Sequence, residues 1–156
     1  MTFAIHGVDP IQFAALFGLS DDQLAAHRAV RITATEEPGF PCRVTLDDAS
    51  IGTSMLLVNH VSHDAANPYR ASHAIFVTEG ASEGRRFIDT VPPALDRRIL
   101  SLRGFDREGM MEGAILAHPG ETDSAIRTMF DRPEIAYIHA HNAIRGCFAA
   151  RVERHA

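Results

Sequence analysis

Residues 137–154 hold the densest set of ligand-type and nucleophilic side chains in the chain: His139, His141, Asn142, Cys147 and several arginines. The stretch reads as two β-strands around a tight turn. Side chains alternate across a strand, so His139 and His141 project from one face, roughly 7 Å apart. A His-x-His strand offers a metal two imidazoles. A catalytic zinc needs a third protein ligand and a non-haem iron a carboxylate. His60, His63, His73, Asp106 and Cys42 are the candidates, and none has a diagnostic spacing to His139. Metal binding by His139 and His141 is therefore open but unspecified. Two hydrogen-bonded or solvated histidines on a half-exposed strand explain the pair more simply.

Cys147 is the candidate nucleophile. A catalytic cysteine needs a nearby histidine and donors for an oxyanion, and Asn142 is of the type that orients such a histidine. The bland alternatives are a buried thiol acting as a small apolar group and an asparagine entering a turn. Register decides between them. If residues 143–146 form a four-residue loop, Asn142 opposes Cys147, His141 opposes Phe148, and His139 opposes Ala150. Opposed residues share a face, which puts Cys147 with Asn142 and away from the histidines. A change of one residue in loop length moves Cys147 to the histidine face.

A second polar concentration spans residues 67–73, Asn-Pro-Tyr-Arg-Ala-Ser-His. Tyr69 and Arg70 fall where a loop enters an apolar strand, a place that often displays binding groups. Arg70 suits an anionic ligand or a structural salt bridge. Tyr69, Arg70, Asn142 and Cys42 are the ligand-binding candidates; His139, His141 and Cys147 are the catalytic ones.

The elements that must position these residues follow from local pattern. Residues 3–8 alternate as a strand. Asp9 as N-cap, Pro10 at N1 and Gln12 at N3 predict a helix running to Gly18, with Val8 and Phe13 as a hydrophobic staple. The device repeats with Ser20 and Gln23, for a helix to about residue 27. Strands are expected over 31–35, 40–46, 53–60 and 72–78. Residues 79–86 read as a mobile polar loop, and 91–95 as one helical turn. A hairpin spans 99–105 and 110–117 around Gly109, and a helix covers 121–130 until Pro133. Most strands follow one another through short turns. That pattern predicts an α+β single domain, a mostly antiparallel sheet of about eight strands with about three short helices.

Composition excludes several functions. At 156 residues the chain fits one domain. Its net charge of −5 gives no pull toward nucleic acid or an anionic membrane. No apolar run is long enough for a transmembrane helix, and the N-terminus lacks the pattern of a signal peptide, so the expected setting is cytoplasmic. All fifteen basic residues are arginine. That rules out lysine Schiff-base chemistry and a Walker A loop, and leaves a small anionic ligand open. No nucleotide or flavin motif, Gly-x-Ser-x-Gly, His-Glu-x-x-His or Cys-x-x-Cys occurs. Cys42 and Cys147 read as two free thiols in a reducing compartment; a disulfide between them is not ruled out by their positions.

Three stretches together resemble a known family: Pro38-Gly39-Phe40-Pro41-Cys42-Arg43, then Tyr69-Arg70-Ala71-Ser72 with Ile75-Phe76-Val77, then His139-x-His141-Asn142-Ala143-x-x-Gly146-Cys147. In that order they are similar to the bacterial family known as domain of unknown function 1203. The resemblance implies a small stand-alone bacterial protein and transfers no activity. It also implies Gly-Pro where this chain has His73-Ala74, which favours Arg70, Asn142 and Cys147 over His73 as shared site residues. The expected function is an enzyme or small-ligand-binding domain whose polar pocket is built from residues 67–73 and the 137–150 hairpin. The alternatives are a non-catalytic interaction module with structural polar residues, and a metal-binding protein using His139 and His141.

Overall fold

The computed structural model describes residues 1–156. Its elements, in chain order, are β1 (Thr2–His6), α1 (Asp21–Ala26), β2 (Val30–Thr33), β3 (Ser54–His63), β4 (Ala71–Thr78), β5 (Arg86–Ile88), α2 (Pro93–Asp96), β6 (Leu100–Phe105), β7 (Met111–Ala117), α3 (Thr122–Phe130), β8 (Tyr137–Asn142) and β9 (Phe148–His155). All ladders between these strands are antiparallel, giving an α+β fold. The strands form two sheets rather than one. Six lie in the order β5-β1-β9-β8-β6-β7, and three in the order β2-β3-β4.

Each face of the large sheet has its own core. On one face Ile138, Ala140, Leu102 and Val152 pack with Ile126, Met129 and Phe130 of α3 and Leu95 of α2. On the other, Phe148 joins Met55, Val58, Ile75 and Val77 of the small sheet. The α3 pattern explains its place: the residues three and four apart that are apolar are the ones buried.

Local signals hold where caps are explicit. Ser20 and Gln23 form the reciprocal capping box of α1, and Val8 and Phe13 are both buried. The stretch after Asp9 differs from the expected α-helix. It is two 3₁₀ turns, Pro10–Gln12 and Ala14–Leu16, because Phe13 and Phe17 bond back only three residues. Residues 40–46 are not a strand either. Cys42 bridges Phe76 and Pro41 bridges Asp48 as isolated contacts, and Leu46 NH closes a turn on the Cys42 carbonyl. The loop after β4 is anchored. Glu79 accepts from Arg31, Gly18 NH and Ser54, and the Arg31 guanidinium holds its carboxyl down to about 2. Arg86, expected in that loop, opens β5 on the edge of the large sheet.

One close approach fixes the segment that carries Arg43. Val8 NH donates to the Arg43 carbonyl, Arg43 NH to Phe76, and Arg85 NH to Val44. Gly7 lies so close to the Val44 carbonyl that any Cβ would collide with it. Backbone atoms on both sides cannot yield cheaply, so Gly7→Ala is expected to lower stability by about 2 kcal/mol. An unchanged urea midpoint for that variant would contradict this packing.

Candidate functional site

The β8–β9 turn places the hairpin side chains. Gly146 takes φ +79, a conformation open to glycine. Its NH donates to the Asn142 carbonyl at 2.7 Å, and Asn142 NH donates to Cys147 at 2.9 Å. His141 opposes Phe148 as expected. Beyond that pair, a one-residue bulge in β9 sets His139 opposite Arg151 rather than Ala150. The bulge lets Ala149 and Ala150 both face the α3 side.

Alternation then divides the sequence-derived site in two. His139 and His141 do share a face, with ring centroids 6.4 Å apart. They are buried between the sheets, 1% and 3% exposed. His63 meets His139 edge-on at 5.2 Å, His73 meets His141 at 4.9 Å, and Phe148 contacts both. His141 Nδ1–H donates to the Gly146 carbonyl at 3.0 Å, since a carbonyl only accepts. Burial lowers His141 to about 4 and His139 to about 2. Both are neutral packing groups at ordinary pH. No group of three or more His, Cys, Asp or Glu side chains is placed to hold a metal ion.

Tyr69 and Arg70 meet this layer only at its edge. The Tyr69 carbonyl accepts from His63 Nδ1–H at 2.9 Å, so the Tyr137 hydroxyl donates to His63 Nε2 at 2.7 Å. Arg151 stacks over the Tyr137 ring at 4.0 Å. Arg70 is spent on an exposed ion pair with Asp64. The 67–73 segment thus meets the hairpin through His63 and through His73 on His141, with Cys147 elsewhere.

Cys147 and Asn142 turn to the opposite face, at the floor of a cavity of about 550 Å³. Residues 36–43, the 97–99 segment after α2 and the 142–147 turn wall it. Ala143 NH, donating to the Ile99 carbonyl at 3.0 Å, ties two of these segments together. The central group is Arg43, only 3% exposed. Its Nε donates to the Phe148 carbonyl at 2.8 Å, Nη1 to Pro41 at 2.6 Å, and Nη2 to the Cys147 sulfur at 3.1 Å. It has no carboxylate partner among the chain's ion pairs. Burial pushes its guanidinium below the ordinary arginine value, and the Cys147 sulfur offsets part of that.

Asn142 Nδ2 reaches the same sulfur at 3.5 Å, and its Oδ1 is buried without a partner. At the rim, Arg97 and Arg98 share Asp48 at 3.3 and 2.6 Å, while Arg145 pairs with no acid. Four guanidiniums therefore face one lining carboxylate, Glu36. Phe40, Phe76 and Ile144 supply apolar wall.

Cys42 stays out of this cavity. It is 2% exposed in the second core, and its sulfur accepts from Thr78 NH at 3.3 Å. Burial works against ionisation of its thiol, but hydrogen bonds from Thr45 and Thr78 outweigh it and lower its pKa. Both cysteines are free thiols. Sequence reasoning missed Arg43, Arg97, Arg98 and Arg145 as site residues. Only Arg43 carried a signal, as the end of the Pro-Gly-Phe-Pro-Cys-Arg stretch; the others come together through folding alone.

Fold and site together define an antiparallel α+β domain with a thiol at the base of an arginine-rich cavity. The chain belongs to the family described as "Protein of unknown function (DUF1203)", whose model matches residues 39–154. The match takes in Arg43, the three walling segments of the cavity from residue 39 onward, and the hairpin through residue 154. No curated protein and no solved structure matches the chain. No helix is long and apolar enough to cross a membrane.

Proposed function

We propose that this protein is a small-ligand-binding domain of enzymatic type. Its cavity takes a small anionic molecule, and Cys147 is the reacting group. The observation that carries this is Arg43. A buried guanidinium without a carboxylate is costly unless something anionic compensates it. Here the Phe148 and Pro41 carbonyls accept from it, and the only groups that could bring negative charge are the Cys147 sulfur and whatever enters above it. Arg43 Nη2, donating to the sulfur at 3.1 Å, holds a nucleophile and a fixed positive charge side by side in the cavity. Arg145 and Arg97 at the rim fit the negative end of a ligand, and Phe40 and Phe76 its apolar part. A bacterial cytoplasm, which keeps thiols reduced, suits such a group.

Anion binding to the folded chain alone raises its melting temperature by mass action. Small carboxylates and phosphate are expected to stabilise the protein in a saturable way, and Arg145→Ala to weaken that effect about tenfold, the worth of one lost charge-assisted contact. Stabilisation that is absent, or equal in Arg145→Ala, would sink the reading. The interaction-module reading draws on β7, an edge strand with Leu116 exposed. It leaves the uncompensated Arg43 unexplained.

A further inference from the structure

The partners of the Cys147 sulfur restrict its chemistry. Two donors reach it, Arg43 Nη2 and Asn142 Nδ2, and no base does. His141, six residues away in sequence, commits Nδ1–H to Gly146 and faces the opposite side of the sheet against His73 and Phe148. Amide hydrolysis needs a group that takes a proton and returns it to the leaving amine, and none is in place. Thiol–disulfide exchange needs neither transfer, because its leaving group departs as a thiolate. In this cavity the departing negative charge is met by Arg97 and Arg145.

On the basis of the anion-binding reading, we infer that Cys147 exchanges with small disulfides that carry carboxylates and holds them as a mixed disulfide in the cavity. The Cys147 thiolate attacks one sulfur of R–S–S–R. The Cys147–S bond forms as the old S–S bond breaks, and its electron pair leaves on R–S⁻, which takes a proton from solvent. The Cys147 sulfur is oxidised and the departing sulfur reduced. Cys42 does not line the cavity, so the adduct is not resolved internally; a second small thiol attacks it and regenerates Cys147.

Charge selectivity provides the test. The full chain is treated at low salt with dithiodipropionate (a dianion), hydroxyethyl disulfide (neutral) and cystamine (a dication). Adducts are timed by intact mass and located by peptide mapping. The net charge of −5 alone would favour the dication. The local arginines are expected to reverse this, with the dianion reacting at Cys147 about tenfold faster than the dication. In urea the order should collapse, and Cys147→Ser should abolish the cavity adduct. A folded chain that reacts fastest with cystamine, that is modified at Cys42 instead, or whose Cys147 stays inert to all three overturns the inference. The same samples are heated with carboxylates. If carboxylates still stabilise the chain, exchange alone has failed; if they do not, the anion-binding reading has failed as well.

Discussion

Replacing Arg43 with methionine slows alkylation of Cys147 by iodoacetate about 100-fold, because the cavity loses the buried cation that draws an anionic reagent to the sulfur. The neutral reagent iodoacetamide is slowed less, by about tenfold. The difference arises because Arg43 acts twice. Its Nη2 holds the sulfur in place at 3.1 Å, and its cation draws an anionic reagent into the cavity. The same substitution strips donors from the Phe148 and Pro41 carbonyls, so stability falls by about 3 kcal/mol. Loss of the fold would accelerate alkylation and expose Cys42, which separates unfolding from loss of function. Arg43→Lys keeps the charge without the fork and is expected to recover part of the iodoacetate rate. A folded Arg43→Met chain with an unchanged iodoacetate rate would remove Arg43 from the site.

Acid unfolds this protein early. His139 and His141 are held near about 2 and about 4 by burial, against about 6.5 in the unfolded chain. Below pH 6.5 the unfolded state therefore binds protons that the folded state refuses, and stability falls with pH. Each histidine contributes up to about 1.4 kcal/mol per pH unit, and half of that at pH 6.5 itself, so the two together cost about 3 kcal/mol between pH 6.5 and pH 5. Only the Gly146 carbonyl, which accepts from His141, offsets part of this burial. His63 and His60 from β3, His73 from β4, Arg103 from β6 and Arg151 from β9 present no carboxylate to either ring, and His60 and His73 are themselves lowered by burial. Glu79 acts in a lower window, losing its contribution as pH falls from its ordinary value toward about 2. Chemical denaturation at pH 7, 6 and 5 measures the slope. His139→Leu is expected to flatten it by about 1 kcal/mol per pH unit over that range. A stability that is level across that range would mean the imidazoles are solvated rather than packed.

Much of this architecture is legible in local sequence. The capping box at Ser20, the Gly109 hairpin and the α3 stripe are each decided within a few residues, and the short connections between strands give the antiparallel α+β class. The shared face of His139 and His141 also follows, because alternation is a property of one strand; the face of Cys147 does not, because it depends on the length of the turn that joins the two strands. What escaped was set by distant partners. Residues 40–46 have strand-like composition, yet Arg43 NH bonds to Phe76 while Cys42 NH turns back to Asp47, which leaves no neighbour for a ladder. The strands divide into two sheets through packing that no single strand specifies. The bulge in β9 shifts His139 from Ala150 to Arg151 without a glycine or proline to mark it. The cavity joins residues 36–43, 97–99 and 142–147. Its excess of arginines is invisible in a chain whose every basic residue is arginine.

The central claim is that the cavity above Cys147 binds small anions through its arginines. The most direct measurement is the rate at which neutral iodoacetamide labels Cys147 as a small dicarboxylate is added. A saturable slowing at Cys147 is expected, one that Arg145→Ala shifts to higher dicarboxylate concentration and that a neutral diamide of the same length does not produce. A labelling rate unmoved by the dicarboxylate, or slowed equally by the diamide, would contradict it.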